Sequence, residues 1–161
     1  MASPLLVYRL EDLSMFFFIK NMFQDVSFIN IVDSFPEEIL TVPTISIDAG
    51  MLKEENFEIG NRDRVRIRTW YIDIFAKNRS QRDDFGYRIL DQSKNGINVY
   101  DYNEGFPPDV SPTRIEHMDV LSISYEPIPV MLDEVEKLYF RGQVILVTQN
   151  DTVWKVLYRN I

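Results

Sequence analysis

Four arginines, Arg62, Arg64, Arg66 and Arg68, alternate with other residues along one stretch of the chain. Side chains two residues apart point to the same face of a β-strand, so a strand here would present four guanidinium groups together. A guanidinium group recognises carboxylates and phosphates through paired N–H donors. We call these four residues the arginine ribbon, and their spacing predicts a surface that binds acidic groups.

Three glutamates, Glu54, Glu55 and Glu58, precede the ribbon, and the turn signal Gly60-Asn61 separates them from it. This order predicts a β-hairpin that holds the glutamates near the arginines. Opposite charges across paired strands contribute only about 0.2–1 kcal/mol each. Three interpretations stay open: a solvated hairpin with internal charge pairing, a contact with a partner protein, and a contact with DNA.

The number of charges favours a partner for part of the ribbon. Three carboxylates on a short, irregular segment need not align with four arginines, so we hypothesise that an acidic group of another chain meets the rest. Replacing Arg64 and Arg66 by Glu is then expected to leave the chain folded, because exposed ion pairs contribute about 0–1 kcal/mol. The same change should block assembly, since like charges brought together at an interface cost several kcal/mol.

Other chemical signatures are sparse. The chain has one histidine, His117, no cysteine, and six scattered glycines that form no phosphate-binding loop. One histidine cannot build a histidine-rich metal site, and a lone general base needs a positioned partner. We therefore expect His117 to have a structural role, and we expect no catalytic residue, metal or cofactor.

Composition indicates a single globular domain over residues 1–161. Apolar residues make up 45% of the chain, and the net charge of −8 argues against general binding to nucleic acid. The apolar segment 5–23 contains Arg9, Glu11, Asp12 and Lys20, which makes it too polar for a membrane span. We interpret it as a core helix.

Periodicity predicts the elements that position the ribbon. Apolar spacing of three and four indicates helices over 4–23, starting at Ser3-Pro4, and over 80–94, capped by Ser80. The expected fold is α+β: a mixed, mainly antiparallel sheet with both helices on one face, plus a projecting β-hairpin. The predicted sheet strands are 44–48, which Ala49-Gly50 should end, 64–76, 115–126 and 138–149, with shorter strands at 27–32, 97–102 and 152–158. The predicted core is Leu10, Leu13, Phe17, Ile45, Ile47, Ile72, Ile74, Phe85, Ile89, Leu121, Ile123, Val144 and Leu146.

Several segments together resemble the neck and tail-completion proteins of tailed bacteriophages. The order of elements is most similar to the tail-terminator class: an N-terminal helix, a sheet with a long hairpin, a helix after the hairpin strand, and closing strands. The resemblance is one of element order and covers most of the chain. Its segments are Asp33-Ser34-Phe35-Pro36 before Val42-Pro43-Thr44-Ile45-Ser46-Ile47, then Trp70-Tyr71-Ile72-Asp73-Ile74-Phe75-Ala76, the capped helix, and Gly142-Gln143-Val144-Ile145-Leu146-Val147-Thr148.

The resemblance implies a ring, expected to be a hexamer, at the head-tail junction of the virion, made in the cytoplasm of a bacterial host. Such a ring stops polymerisation of the tail tube and joins the tube to the neck, with DNA only as cargo in the lumen and no membrane contact. The ribbon and its glutamates would then contact a neighbouring subunit or the tail-tube protein. Two alternatives stay open: a head-closure stopper or adaptor of the neck, and a non-viral monomeric or dimeric protein-binding module.

Overall fold

A computed structural model describes residues 4–34, 41–56, 64–129 and 140–150. These residues form two α-helices and six β-strands, and the predicted α+β class is confirmed. The predicted strand at 152–158 lies outside the described residues. The elements are α1 (Val7–Met22), β1 (Asn30–Val32), β2 (Thr44–Asn56), β3 (Arg64–Ala76), α2 (Arg79–Ser93), β4 (Ile97–Asp101), β5 (Thr113–Ile128) and β6 (Phe140–Asn150).

The six strands form one sheet in the order β1-β2-β3-β6-β5-β4. The short strand β1 pairs with β2 in parallel, and the remaining neighbours are antiparallel. Strands β2 and β3 form the predicted long hairpin, and β3 also pairs with β6 on its other side. The ribbon strand therefore lies in the middle of the sheet, flanked by one strand on each side.

The helix starts differ from the sequence prediction. Helix α1 begins at Val7 instead of Pro4, and Leu6 precedes it without a side-chain cap. Helix α2 is capped by Asn78, whose side chain accepts a hydrogen bond of 2.8 Å from the backbone N–H of Gln81, so Ser80 lies inside the helix. Asn78 takes this role because β3 ends just before it and leaves it in an extended conformation, which the residue at an N-cap requires.

The core lies between the helices and the face of the sheet that carries Trp70, Ile72 and Ile74. These three side chains are almost fully buried, as the strand alternation predicts. The helices meet where the rings of Phe23 and Phe85 pack edge to face, with centroids 5.0 Å apart. Of the other predicted core residues, Leu10, Ile45, Ile47, Ile89, Val144 and Leu146 are buried, and Leu13, Phe17 and Ile123 are half-buried against the core.

Leu121 was wrongly predicted in the core, since 53% of it is exposed. A β-bulge causes the difference. Val120 pairs with Thr148 and Ser122 pairs with Val147, so Leu121 is an extra residue without a partner opposite. Such a residue leaves the alternation of its strand.

Strand β2 continues past the point where Ala49-Gly50 was expected to end it. The residues between Ala49 and Leu52 form a second β-bulge, and pairing with β3 resumes afterwards as far as Asn56. Glycine fits the bulge because a Cβ atom on Gly50 would lie 2.5 Å from the ring of Tyr71. No helix in the described residues is long and apolar enough to cross a membrane.

Candidate functional site

The arginine ribbon runs from solvent into the interior of the molecule. Arg64, Arg66 and Arg68 share one face of β3, as predicted, while Arg62 and Glu58 lie outside the described residues. The exposed fraction of the side chain falls from 59% for Arg64 to 12% for Arg66 and 6% for Arg68. The ribbon therefore has an outer end and an inner end with different surroundings.

Arg68, at the inner end, is held by the first turns of α1. Its guanidinium group forms an ion pair of 2.7 Å with Asp12 and one of 3.4 Å with Glu11. It also donates a hydrogen bond of 2.9 Å to the backbone carbonyl of Tyr8. The group stacks 4.3 Å from the ring centre of Trp70, which adds a cation–π contact. Arg68 thus fastens the first turns of α1 to the centre of the sheet.

Arg66 joins α1 to a second strand. Its guanidinium group lies 2.7 Å from Glu116 of β5 and 3.4 Å from Glu11. Glu11 is therefore shared by Arg66 and Arg68, and it is only 1% exposed. Burial raises the pKa of the Glu11 carboxyl above its ordinary value, while the two arginines oppose that rise.

The amide of Asn150 completes the cluster from β6. Its oxygen accepts a hydrogen bond of 2.8 Å from the backbone N–H of Arg66. Its nitrogen donates to the carbonyl of Arg64 at 3.1 Å and to Glu116 at 3.3 Å. Asn150 thus supports the backbone of β3 between the two ends of the ribbon. We call Glu11, Asp12, Arg66, Arg68, Glu116 and Asn150 the buried ion cluster.

Arg64, at the outer end of the ribbon, has fewer contacts with described residues than the arginines at the inner end. Arg64 lies 3.2 Å from Glu54, and Glu54 also accepts a hydrogen bond of 2.7 Å from the hydroxyl of Tyr8. The Tyr8 hydrogen bond, assisted by Arg64, lowers the pKa of Glu54. Glu55 instead pairs with Lys53 at 2.8 Å, on the opposite face of the hairpin. Of the glutamates expected to meet the ribbon, Glu54 does so and Glu55 does not.

The bulge in β2 decides which glutamate faces the arginines. Before it, Ile47 and Ala49 share the buried face of the sheet. Unbroken alternation would continue that face through Lys53 and place a cation against the ribbon. With one extra residue in the strand, Glu54 instead lies on that face, opposite Arg66 in the register of the two strands.

The bulge at Leu121 decides which residues of β5 face the arginines. After it, Ile123 is on the core face, and unbroken alternation back along the strand would place His117 there. The extra residue shifts the phase, so Met118 and Glu116 face the core and Glu116 reaches the ribbon. Both bulges thus bring a carboxylate to the arginines.

The geometry corrects one premise of the sequence analysis. The expectation that the double replacement of Arg64 and Arg66 by Glu leaves the fold intact requires both side chains to be exposed. This is wrong for Arg66, whose side chain is only 12% exposed and lies between Glu11 and Glu116. A glutamate at position 66 would add a third carboxylate there, so we now expect it to destabilise the chain.

Sequence reasoning missed the acidic residues of α1. Glu11 and Asp12 stand in a helix with a broad apolar face, and a buried carboxylate requires a cationic partner. This was the signal that could have linked them to the ribbon. The link itself spans 55 residues between Glu11 and Arg66, beyond the reach of local patterns.

Both ring nitrogens of His117 contact asparagine oxygens within the chain. Its Nδ1 lies 2.7 Å from the amide oxygen of Asn98, and its Nε2 lies 3.1 Å from the carbonyl of Asn95. These contacts tie β5 to β4 and to the turn before it. In the part of the chain that the structure describes, no three acidic or histidine side chains lie close enough together to hold a metal ion.

The outer part of the hairpin forms an exposed arm, which we define as residues 49–56 of β2 and 64–66 of β3. From Ala49 to Asn56, each residue except the half-buried Glu54 is exposed. Met51, in the bulge, is 63% exposed. Within the residues that the structure describes, pairing between β3 and β6 runs from Ile67 to Ala76, and the amide of Asn150 also contacts the backbone of Arg64 and Arg66.

Fold and site together define an α+β domain with an exposed hairpin arm and a buried ion cluster at the base of the arm. No protein-family profile matches this chain, and no curated protein matches it. The chemistry of its residues is therefore the basis for assigning a function.

Proposed function

We propose that this chain is a structural virion protein of the tail-terminator class. In this proposal, copies form a ring, expected to be a hexamer, that caps the tail tube and joins it to the neck, with DNA passing through the lumen. The order of elements supports it: an N-terminal helix, a long hairpin, a helix directly after the hairpin strand, and closing strands. This is the order that the resemblance to tail terminators implies.

The exposed arm is the observation that carries the proposal. A two-stranded hairpin with water on most sides is marginally stable by itself. Here its base is fastened by Arg66 and Arg68 to α1 and β5. A projecting element held in one geometry loses little conformational freedom on binding, which favours a contact with another protein.

The exposed charges of the arm favour a protein over DNA as its partner. The side chains of Arg66 and Arg68 are only 12% and 6% exposed, so among the described residues of the arm the exposed charges that a partner could meet are Arg64, Lys53 and Glu55. With both signs present and an exposed Met51 on the same strand as Lys53 and Glu55, the arm is suited to a protein surface. It is less suited to the uniformly negative backbone of DNA.

The proposal is tested by removing the protein from an assembling phage and measuring the tails. A terminator stops tube growth, so its loss should give tails that are too long and that lack heads. Immunogold labelling of complete particles should place the protein at the head-tail joint. Tails of normal length without heads would contradict a terminator and favour a stopper or adaptor. Absence of the label from particles would contradict any virion role.

A matched pair of substitutions tests the arm. Met51→Asp and Leu121→Asp each place a charge at an exposed bulge residue, on β2 and β5 respectively. Only Met51 belongs to the arm, so Met51→Asp should prevent tail joining while Leu121→Asp should not. Circular dichroism should show that both variants are folded. Equal joining by the two variants would contradict the role of the arm.

A further inference from the structure

Phe28 combines two features that nothing in the arm or the ion cluster accounts for. Its side chain is 94% exposed, although it is a large aromatic residue. Its backbone has a φ of 62°, in the left-handed region, which is strained for an L-residue with a Cβ atom. A bulky residue in this conformation is uncommon, and strained backbone of this kind clusters at functional sites.

The segment before Phe28 is held in place. Phe23 is fully buried, and the guanidinium group of Arg88 lies 5.2 Å from the centre of its ring. Arg88 also forms an ion pair of 2.8 Å with Asp25, and the N–H of Val26 donates to the carbonyl of Phe23 at 3.1 Å. The chain therefore presents Phe28 from a fixed base, which lowers the entropy lost when the ring is bound.

A separate apolar cavity lies between α1 and the sheet. Its volume is about 270 Å³, below the roughly 300–1,000 Å³ typical of sites for drug-sized molecules, so it suits one large side chain. Phe28 is not among its lining residues: it follows the C-terminal end of α1, whereas the helix lines the cavity between Arg9 and Phe17. The apolar lining includes Leu13, Phe16, Phe17, Ala49, Trp70 and Phe106, and the charged residues Arg9, Asp12 and Asp33 also line the cavity.

We propose that Phe28 of one copy occupies this cavity in the next copy of the chain. The inference rests on the proposed function, because it supplies the subunit contact of the ring. An aromatic ring matches the aromatic lining, and Arg9, which also lines the cavity, can lie over the incoming ring as a cation–π partner.

The placement of the two surfaces favours a ring. Phe28 and the cavity are different parts of the same chain, so each copy can offer its Phe28 to one neighbour and its cavity to another. Such head-to-tail contacts close into a ring when the rotation between neighbours permits it. The bound state would also compensate for the unfavourable backbone of Phe28, since burial of an aromatic side chain is favourable.

Two complementary variants test the contact. Phe28→Asp removes the ring but keeps the cavity, and Ala49→Leu fills the cavity, which Ala49 lines, but keeps Phe28. Each variant alone should self-associate at least about 30-fold more weakly than the unmodified chain, the effect of losing a central aromatic anchor. Mixed together, they should form a 1:1 complex, because Phe28 of the Ala49→Leu chain can enter the intact cavity of the Phe28→Asp chain.

Light scattering coupled to size exclusion measures these masses, and Leu121→Asp is the control for loss of an exposed apolar side chain. Normal assembly by either variant, or no complex in the mixture, would overturn the inference and leave the ring proposal standing. A dimer that depends on Phe28 would keep the inference and contradict the ring. An unmodified chain that stays monomeric at every concentration would contradict both.

Discussion

The two ends of the arginine ribbon have the same spacing but opposite environments. Arg64 is exposed, and within the described residues its ion pair is with Glu54. The side chains of Arg66 and Arg68 are only 12% and 6% exposed and meet carboxylates from α1 and β5. The alternating spacing of the arginines does not distinguish the exposed end from the inner end. The difference comes from the elements that cover each end, since α1 lies over the inner end and solvent over most of the outer end.

The inner end of the ribbon contributes to the fold, whereas we propose that the outer end contributes to binding. Buried ion pairs are weak evidence for net stability, because desolvation of the charges offsets their attraction. Their geometry is nonetheless specific, and this cluster joins α1 to three strands at the base of the exposed arm. The inner end therefore determines where the arm projects, and the outer end remains available to a partner.

The largest effect is expected from removing the carboxylate that both inner arginines share. Glu11→Ala leaves Arg66 and Arg68 with less negative charge in a buried site, and breaking such a cluster typically costs about 3–5 kcal/mol of unfolding free energy. Glu55→Ala, which removes an exposed carboxylate paired with Lys53, is the matched control and should change little. Urea denaturation followed by circular dichroism measures both. Similar losses in the two variants would contradict the distinction between the ends.

A smaller loss is expected from the β2 bulge that brings Glu54 to the ribbon. In Gly50→Ala, the added Cβ would lie 2.5 Å from the Tyr71 ring and 3.1 Å from the carbonyl of Thr69, so the strand or the ring must shift. Overpacking of this kind costs about 1–3 kcal/mol. The free energy of unfolding should fall by that amount, and a variant as stable as the unmodified chain would show that the bulge tolerates a side chain.

A gain is expected at Phe28. Asn tolerates the left-handed region better than Phe, so Phe28→Asn should raise the unfolding free energy of the unassembled chain by about 1 kcal/mol. The measurement is chemical denaturation at a concentration where the chain is monomeric. A loss of stability would mean that Phe28 makes contacts within its own chain, against the proposal that its ring serves a neighbour.

The pH dependence should distinguish Glu11 from Glu54. Burial raises the pKa of Glu11, so its contribution to stability is present below the ordinary value of 4.5 and is lost as the pH rises through the folded value. The Tyr8 hydrogen bond lowers the pKa of Glu54, so its contribution is present above 4.5 and is lost as the pH falls.

The difference in unfolding free energy between the unmodified chain and Glu11→Gln should therefore change with pH in one direction. The same difference for Glu54→Gln should change in the opposite direction. Between about pH 4 and pH 6, the stability advantage of Glu11 over Gln should shrink and that of Glu54 over Gln should grow. Unfolding free energies measured at several pH values give both slopes. Slopes of the same sign would show that the two carboxylates have similar environments.

Local periodicity predicted the frame of the molecule. The bounds of β3 match the predicted strand 64–76, and the core face of Trp70, Ile72 and Ile74 follows from alternation. Both helices were predicted from apolar spacing, although α1 begins at Val7 instead of Pro4 and α2 is capped by Asn78 instead of Ser80. These features depend on neighbours a few residues apart, which a single sequence displays directly.

The environment of the ribbon could not be predicted in the same way. A bulge shifts every later side chain by one position, and it arises from pairing with another strand that local patterns do not contain. Both bulges, at Gly50 and at Leu121, changed which residues face the arginines. The pairing of Glu11 with Arg66 and Arg68 depends on how α1 crosses the sheet, and that is a property of the whole fold.

The most direct test of the division along β3 compares one charge reversal at each end. Arg66→Glu places a third carboxylate beside Glu11 and Glu116, and it should lower the free energy of unfolding by more than about 3 kcal/mol. Arg64→Glu alters an exposed side chain and should change it by no more than about 1 kcal/mol. That result would assign folding to the inner end and leave the outer end for binding. Equal losses in urea denaturation, or a larger loss for Arg64→Glu, would contradict the account.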